Sequence, residues 1–275
     1  MKHADIHLLV NDLKAQGQPF ALATVVRTVA ATAAKAGAKA VIRPDGTISE
    51  GWIGGGCARA AVLKAAREAI ADGKPRLVSV QPRDLLGALG VKSGEERDGI
   101  RFASNMCPSK GTMDVFVEPI VPLPELVILG ASPVAAALCD LGGRFGFRRV
   151  VVAPPEDQAA FEEAETRIEG FALEVAAAGR RYIVVSTQGR GDEPALRAAL
   201  AARADHVAFV GSRAKGESLK AMLASDGLDA ATLARLKVPA GLDIGAITPE
   251  EIALSILAEI IQISRRTPAA KGEPA

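Results

Sequence analysis

Apolar and polar positions alternate with two different rhythms along this chain. In the first part, Ile6, Leu9, Val10 and Leu13 recur at helical spacing, which predicts an amphipathic helix over residues 4–16. Phe20 to Val29 is nearly continuous in apolar and β-branched residues, as expected of a core strand. A second strand is predicted from Ala38 to Arg43, closed by the turn signal Pro44-Asp45-Gly46. Thr47 to Ile53 leads into Gly54-Gly55-Gly56-Cys57, and an Ala-rich helix is predicted from Ala58 to Ala71. Asp72-Gly73-Lys74-Pro75 stops that helix, and strands follow at Arg76 to Val80 and at Thr112 to Glu118. Residues 82–104 are polar and glycine-containing and yield no element.

The rhythm changes after Pro119, Pro122 and Pro124, which read as an interdomain linker over 119–124 because Pro cannot serve a central ladder. Beyond it, strands are predicted at Glu125–Leu129, Arg149–Val152, Tyr182–Ser186 and Val207–Val210, with helical segments between them. Such alternation argues for a parallel sheet covered by helices on both faces. A last helix opens at Thr248-Pro249-Glu250-Glu251, a capping box with Pro at the first helical position. The fold class read from the pattern is α/β. An N-terminal α+β domain is expected over 1–120, a Rossmann-like parallel-sheet domain over 125–266, and a disordered tail over 267–275.

Composition narrows the partners. Lys and Arg number 33 against 32 Asp and Glu, so bulk charge gives no reason to expect nucleic acid as a partner. No apolar run approaches the length of a membrane span. The opening residues carry charge too early for a signal peptide, and three widely spaced cysteines make neither a disulfide framework nor a zinc pattern. A cytoplasmic protein with reduced thiols is therefore expected.

The candidate chemistry lies in glycine-bearing turns. Gly54, Gly55 and Gly56 let a ligand approach bare backbone, and the helix behind them presents unpaired N–H groups to an anion. Cys57 stands at that helix start, where a thiolate is favoured. Two readings are open: an anion cradle beside a poised sulfur, or a tight turn with a small packed cysteine. The turn Cys107-Pro108-Ser109-Lys110-Gly111 admits the same pair of readings, with Lys110 able to favour the Cys107 thiolate. Cys139, among Ala and Leu in mid-helix, is read as core.

In the second half the dinucleotide fingerprint is broken. Gly130 is followed by Ser132 where a second glycine belongs and then by Ala135, and no acid follows the second strand at Val151-Val152-Ala153-Pro154. NAD(P) is accordingly not the expected cofactor. Gly211-Ser212-Arg213 ends a predicted strand, where an Arg can grip a phosphate in bidentate fashion; an N-cap serine with a solvated arginine is the other reading. A further loop, Gly241-Leu242-Asp243-Ile244-Gly245, precedes the last helix.

Taken together, the GGGC loop, the strand TMDVFVEP after a cysteine-bearing turn, the GSR turn and GLDIGAITPEEIALSILAEI resemble the XdhC/CoxI family of accessory proteins for molybdenum hydroxylases. The resemblance implies a protein that binds the molybdenum cofactor (molybdopterin, in its plain or cytosine dinucleotide form) and assists its sulfuration and delivery to an apo molybdenum hydroxylase. Xanthine and carbon monoxide dehydrogenases are such clients. A cysteine desulfurase and a second copy of the chain are the other partners expected. On this reading Cys57 and Cys107 carry the sulfur chemistry and Cys57 meets the metal. Gly54–Gly56, Ser109, Lys110, Gly130, Ser132, Gly211, Ser212, Arg213 and Asp243 are the remaining cofactor-binding residues. An NAD(P)-dependent oxidoreductase is the alternative. The chain departs from the family pattern at Arg59 (usually Glu), at Pro108-Ser109-Lys110 (usually glycines), at Ser132-Pro133 (often Gly-His) and at Gln188 (often His after Thr187).

Overall fold

The computed structural model describes residues 6–30, 32–106, 111–173 and 179–265, the side chain of Cys57 excepted. The chain divides into two compact units, Met1–Pro122 and Leu123–Ala275. The predicted tail, 267–275, lies outside the described residues, as does the turn 107–110.

The first unit runs α1 (Ile6–Ala15), β1 (Phe20–Val29), β2 (Lys39–Ile42), β3 (Ile48–Gly51), α2 (Gly56–Asp72), β4 (Arg76–Pro82), α3 (Arg83–Ala88), β5 (Glu96–Arg97), β6 (Ile100–Asn105) and β7 (Thr112–Ile120). Its seven strands form one sheet in the order β3-β2-β1-β7-β4-β6-β5. All pairings are antiparallel except β4 with β6, which are connected through α3 and β5. Helix α2 lays Val62, Ala65, Ala66 and Ala69 on Ala21, Ala23, Val25, Val78, Val115 and Val117. That i, i+3, i+4, i+7 stripe is mostly alanine, so helix and sheet approach closely, and burial of the stripe holds the layer together. A small second core gathers Leu13, Phe20 and Val41 under α1, and a third joins Leu86, Val91 and Phe102.

Two expectations are corrected here. Residues 82–104, which the pattern left blank, contain α3, β5 and most of β6. These pieces are short and share a core of three buried residues, so no period had room to show. The linker expected from residue 119 begins later, because β7 continues through Pro119, opposite Ala21, to Ile120. The β4 pairing ends at Val117, so Pro119 costs no bond to that neighbour.

The second unit runs β8 (Glu125–Leu129), α4 (Pro133–Arg144), β9 (Arg148–Ala153), a 3-10 helix (Pro155–Phe161), β10 (Thr166–Glu169), β11 (Arg181–Val185), α5 (Asp192–Ala201), β12 (His206–Phe209), α6 (Arg213–Ser225), α7 (Ala230–Ala234), β13 (Leu236–Lys237) and α8 (Pro249–Arg265). Its sheet is parallel throughout, in the order β10-β9-β8-β11-β12-β13. Numbered within the unit, that is 3-2-1-4-5-6, the doubly wound Rossmann order. The strands are apolar on both sides and feed two cores. Leu126, Ile128, Tyr182 and Val184 meet α4 and α8 through Leu138, Ile256, Leu257 and Ile260. Val127, Leu129, Ile183 and Val185 meet α5 and α6 through Leu196, Ala199 and Leu223. The capping box forms as read: Glu251 accepts from the Thr248 N–H at 3.0 Å, and the Glu251 N–H donates to the Thr248 hydroxyl at 3.3 Å.

Candidate functional site

In the first unit the Gly-rich loop connects β3 to α2. Ile53 and Gly54 are buried, whereas Gly55 and Gly56 are exposed. Gly54 and Gly56 have φ of +98° and +56°. Gly55 is the N-cap in extended conformation and supplies no side-chain acceptor, and no acid stands in the first turn. Among the described residues, a 17-residue helix therefore begins with no side-chain cap on its first N–H groups and no acid in its first turn to match the positive end of its dipole. Cys57 belongs to this first turn by backbone position, its side chain lying outside the described residues. A Cβ placed on Gly54 would lie 3.6 Å from Met113 Cε, so the loop rests against the start of β7. Cys107, Ser109 and Lys110, six to three residues before Met113, lie outside the described residues. Their flanks are joined by a hydrogen bond from the Asn105 amide to the Gly111 carbonyl, 2.7 Å.

Sequence reasoning passed over Trp52. Its side chain is 50% exposed and its ring edge lies 3.8 Å from where a Gly55 Cβ would stand. The signal was there: the single Trp of a chain poor in aromatics, directly before Ile-Gly-Gly-Gly.

In the second unit the candidate residues collect at the carboxyl ends of β8, β11 and β12. Gly130 has φ +106°, and a Cβ there would sit 2.6 Å from the Ser186 carbonyl, so only glycine lets β8 end against β11. Ser132 caps α4, accepting from the Ala135 N–H at 3.1 Å, and its hydroxyl pairs with that of Ser186 at 2.6 Å. Both serines are buried, and they occupy the crevice where the strand order reverses. Gln188, just beyond, is one of three described non-glycine residues at positive φ.

Next to them is a network that sequence did not reveal. Asp192 accepts from the Thr187 hydroxyl, from the Gly189 N–H at 3.1 Å and from the Lys215 ammonium at 2.6 Å. Burial alone would raise the Asp192 carboxyl, but the Lys215 and Thr187 hydrogen bonds outweigh it and hold the group below its ordinary value. Lys215 also stands 5.4 Å from the centre of the Phe209 ring. Ser212 caps α6 by accepting from the Lys215 N–H at 3.2 Å, and Arg213, the first residue of α6, is exposed. The pattern Thr187…Asp192…Lys215 joins the turn after β11 to α5 and α6, and nothing in one-dimensional spacing marks it.

Asp243 is exposed in the loop before α8. That loop is held from below by Glu259, whose side chain is 7% exposed, through bonds from the Gly241 N–H at 3.0 Å and from Lys237. His206 Nε2 approaches the same carboxylate at 3.3 Å; burial pushes its imidazole down, with Glu259 opposing. Among the described residues no three His, Cys, Asp or Glu side chains gather as a metal site, and no helix is long and apolar enough to cross a membrane.

A family model described as the XdhC Rossmann domain matches residues 126–260, and one described as the XdhC and CoxI family matches residues 13–81. The chain belongs to the XdhC/CoxI family. The uncharacterized protein YqeB of Escherichia coli K12 is 30% identical over 268 residues, covering 93% of this chain and 46% of that protein. A probable xanthine dehydrogenase subunit of Bacillus subtilis 168 is 26% identical over 163 residues, covering 56% of this chain and 47% of its own length. The chain thus spans about half the length of the curated relatives it matches. A crystal structure described as a xanthine dehydrogenase from Bacillus halodurans aligns over 96% of this chain and 97% of its own, with 20% identity and a TM-score of 0.46.

Proposed function

We propose that this chain binds the molybdenum cofactor at the Gly54–Cys57 loop and assists its maturation and insertion into a molybdenum hydroxylase of the xanthine or carbon monoxide dehydrogenase type. The observation that carries the reading is the start of α2 in a member of this family: exposed Gly55 and Gly56, no side-chain acceptor at the N-cap and no acid in the first turn. The cofactor's phosphate fits such a helix end, since the N–H groups lack a side-chain cap and open space surrounds Gly56. Bound there, the cofactor would supply a thiophilic metal whose exchange of terminal oxygen for sulfur is the chemistry of maturation.

The chain's own residues have separable tasks in this reading. The Gly55–Gly56 backbone holds the phosphate, the Trp52 ring offers a face to a planar heterocycle, and Cys57 presents sulfur from the helix start. Cys107, Ser109 and Lys110 belong to the same task by sequence. The protein would act in the cytoplasm, as a homodimer, beside a cysteine desulfurase. Hydride transfer with NAD(P) is the less supported reading, because Ser132 replaces the second glycine and β9 ends at Val152-Ala153-Pro154 without an acid to hold a ribose.

The test is the molybdenum and pterin content of protein purified from cells making the cofactor, wild type against Cys57→Ser. The reading expects both in wild type and a sharp loss in the variant with the fold retained. Equal content in the two, or none in wild type, would overturn it.

A further inference from the structure

The turn from β11 into α5, Thr187 to Asp192, is sharply bent and tied at both ends. Gln188, Gly189 and Gly191 have φ of +53°, +93° and +91°, so three of its four central residues are left-handed. A Cβ on Gly191 would meet the Phe171 ring at 2.5 Å, so the backbone runs close along that ring. Thr187 is buried, whereas Gln188, Gly189 and Arg190 are exposed. The Arg190 backbone N–H donates to the Thr187 carbonyl at 3.1 Å and folds the exposed part into a compact loop.

The two ties differ in strength. At the α5 end the Asp192 side chain, 11% exposed, accepts from the Lys215 ammonium, the Gly189 N–H and the Thr187 hydroxyl. A nearly buried carboxylate with three donors is a firm anchor. The second tie is Arg190, which approaches Asp157 at 3.3 Å with its own side chain 66% exposed. A pair so open to water contributes little and weakens further in salt.

Topology decides what the weak tie crosses. Asp157 lies in the 3-10 helix after β9 and Arg190 in the turn after β11, and β8 stands between those two strands. The pair therefore bridges two strand spacings, about 10 Å, over the carboxyl end of β8 where Gly130–Ser132 leaves for α4. Ser132 and Ser186 are both buried there, although this is the crevice in which doubly wound sheets receive ligands.

We propose that residues Gln188 to Gly191 form a hinged strap over this crevice, with Asp192 as its hinge and the Arg190–Asp157 pair as its latch. Closed, the strap covers the Ser132–Ser186 hydroxyl pair and the start of α4. When the latch parts, the turn swings about Asp192 and opens both to whatever enters the crevice. The glycines on either side of Arg190 supply the backbone freedom for that swing. A segment that must move belongs to the low-stability end of a structure, and a strap firm at one end and weak at the other meets that need. Every group named lies in the second unit, and the proposal does not depend on the molybdenum cofactor reading.

The test is amide hydrogen exchange of the full chain followed by NMR. Gly189 N–H, bonded to Asp192, reports the strap, and Ser132 N–H, bonded to the Ser186 carbonyl at 3.3 Å, reports the crevice beneath it. Amides of Val127 and Ile183, in β8 and β11, report the unit as a whole. Arg190→Ala and Asp157→Asn are each expected to speed exchange at Gly189 and Ser132 about two- to fivefold, with Val127 and Ile183 unchanged. The double variant should go no further than either single one, because both remove the same latch. Raising NaCl to about 0.5 M should speed the same two amides in wild type and leave those of Arg190→Ala unchanged. Asp192→Asn, which weakens the hinge, should speed both by at least about tenfold. Gly189 unaffected by loss of the latch overturns the proposal. So does a faster Gly189 with Ser132 unchanged, since the turn then frays without uncovering the crevice. Equal acceleration at Val127 and Ile183 overturns it as well, because the pair then stabilises the whole unit.

Discussion

Three cysteines of one chain should differ widely in reactivity, because their surroundings differ in what they do to a thiolate. Cys57 belongs to the first turn of α2, where the dipole and unmatched N–H groups favour the anion. Cys139 is 4% exposed in the core between α4 and the sheet, and burial pushes its thiol up. Alkylation near neutral pH, followed by peptide mass spectrometry, should therefore modify Cys57 first, Cys107 next and Cys139 last. Cys139 reacting as fast as Cys57 would contradict the argument. Ser132 makes a second residue-scale case. Its hydroxyl caps α4 and pairs with Ser186, so Ser132→Ala removes a cap and strands a buried hydroxyl. A loss of about 1–2 kcal/mol in urea unfolding is expected, against near neutrality were the serine solvated. The sequence marked Ser132 as a defect in a glycine fingerprint and, through the family resemblance, as a cofactor-binding candidate. Its pairing depends on Ser186, 54 residues away, which no local pattern could supply.

At the scale of elements, an ion pair at the start of β10 adds to the backbone pairing of β9 and β10. Glu165, just before β10, accepts from the Arg149 backbone N–H at 2.6 Å, from its Nε at 3.1 Å and from its Nη2 at 2.8 Å. The Arg149 hydrogen bonds, working against burial, take the Glu165 carboxyl from 4.5 down to about 2. A folded value below the unfolded one means that the unfolded chain binds the extra proton, so stability from this group is present above pH 4.5 and lost as pH falls towards 2. Glu165→Gln should melt lower than wild type at pH 6, with the gap closing as pH falls through that window. A gap that stays constant down to pH 2 would mean that the carboxylate's charge is irrelevant. Because Glu165 is partly exposed, solvent keeps the effect modest. Elements themselves were legible where they were long and repetitive. The alanine stripe of α2, the capping box of α8 and the apolar runs of β8 and β11 all announced themselves. By contrast α3, β5 and β6 did not, since pieces of six residues or fewer around a three-residue core carry too few positions to establish a period. Pro119 misled for a related reason: a proline forbids a bond only where a neighbouring strand is present to make it, and the pairing with β4 has already ended there.

At the scale of the molecule, the second unit has what an independent domain needs. Its sheet is complete in the order β10-β9-β8-β11-β12-β13, and helices from its own segment cover both faces. Among the described residues both cores draw only on those between Leu126 and Ile263. The polar groups at the strand starts are also served from within: Arg181 bonds Glu125 at 2.7 Å, and Arg148 reaches the other oxygen of the same carboxylate at 2.7 Å. A segment of this size, near the common domain length of about 100–150 residues, buries enough apolar surface to fold alone. Residues 123–275 expressed by themselves should accordingly give a single cooperative thermal transition, with slow amide exchange in β8, β11 and β12. The mutation that probes the claim is Gly130→Ala, which forces a Cβ to within 2.6 Å of the Ser186 carbonyl and requires φ +106° of an alanine. It should lower the midpoint of the isolated unit by as much as it lowers the corresponding transition of the full chain. If the isolated segment instead melts without cooperativity, or binds hydrophobic dye as a loosely packed state does, its two cores are not self-sufficient and the division at residue 122 is one of contacts alone.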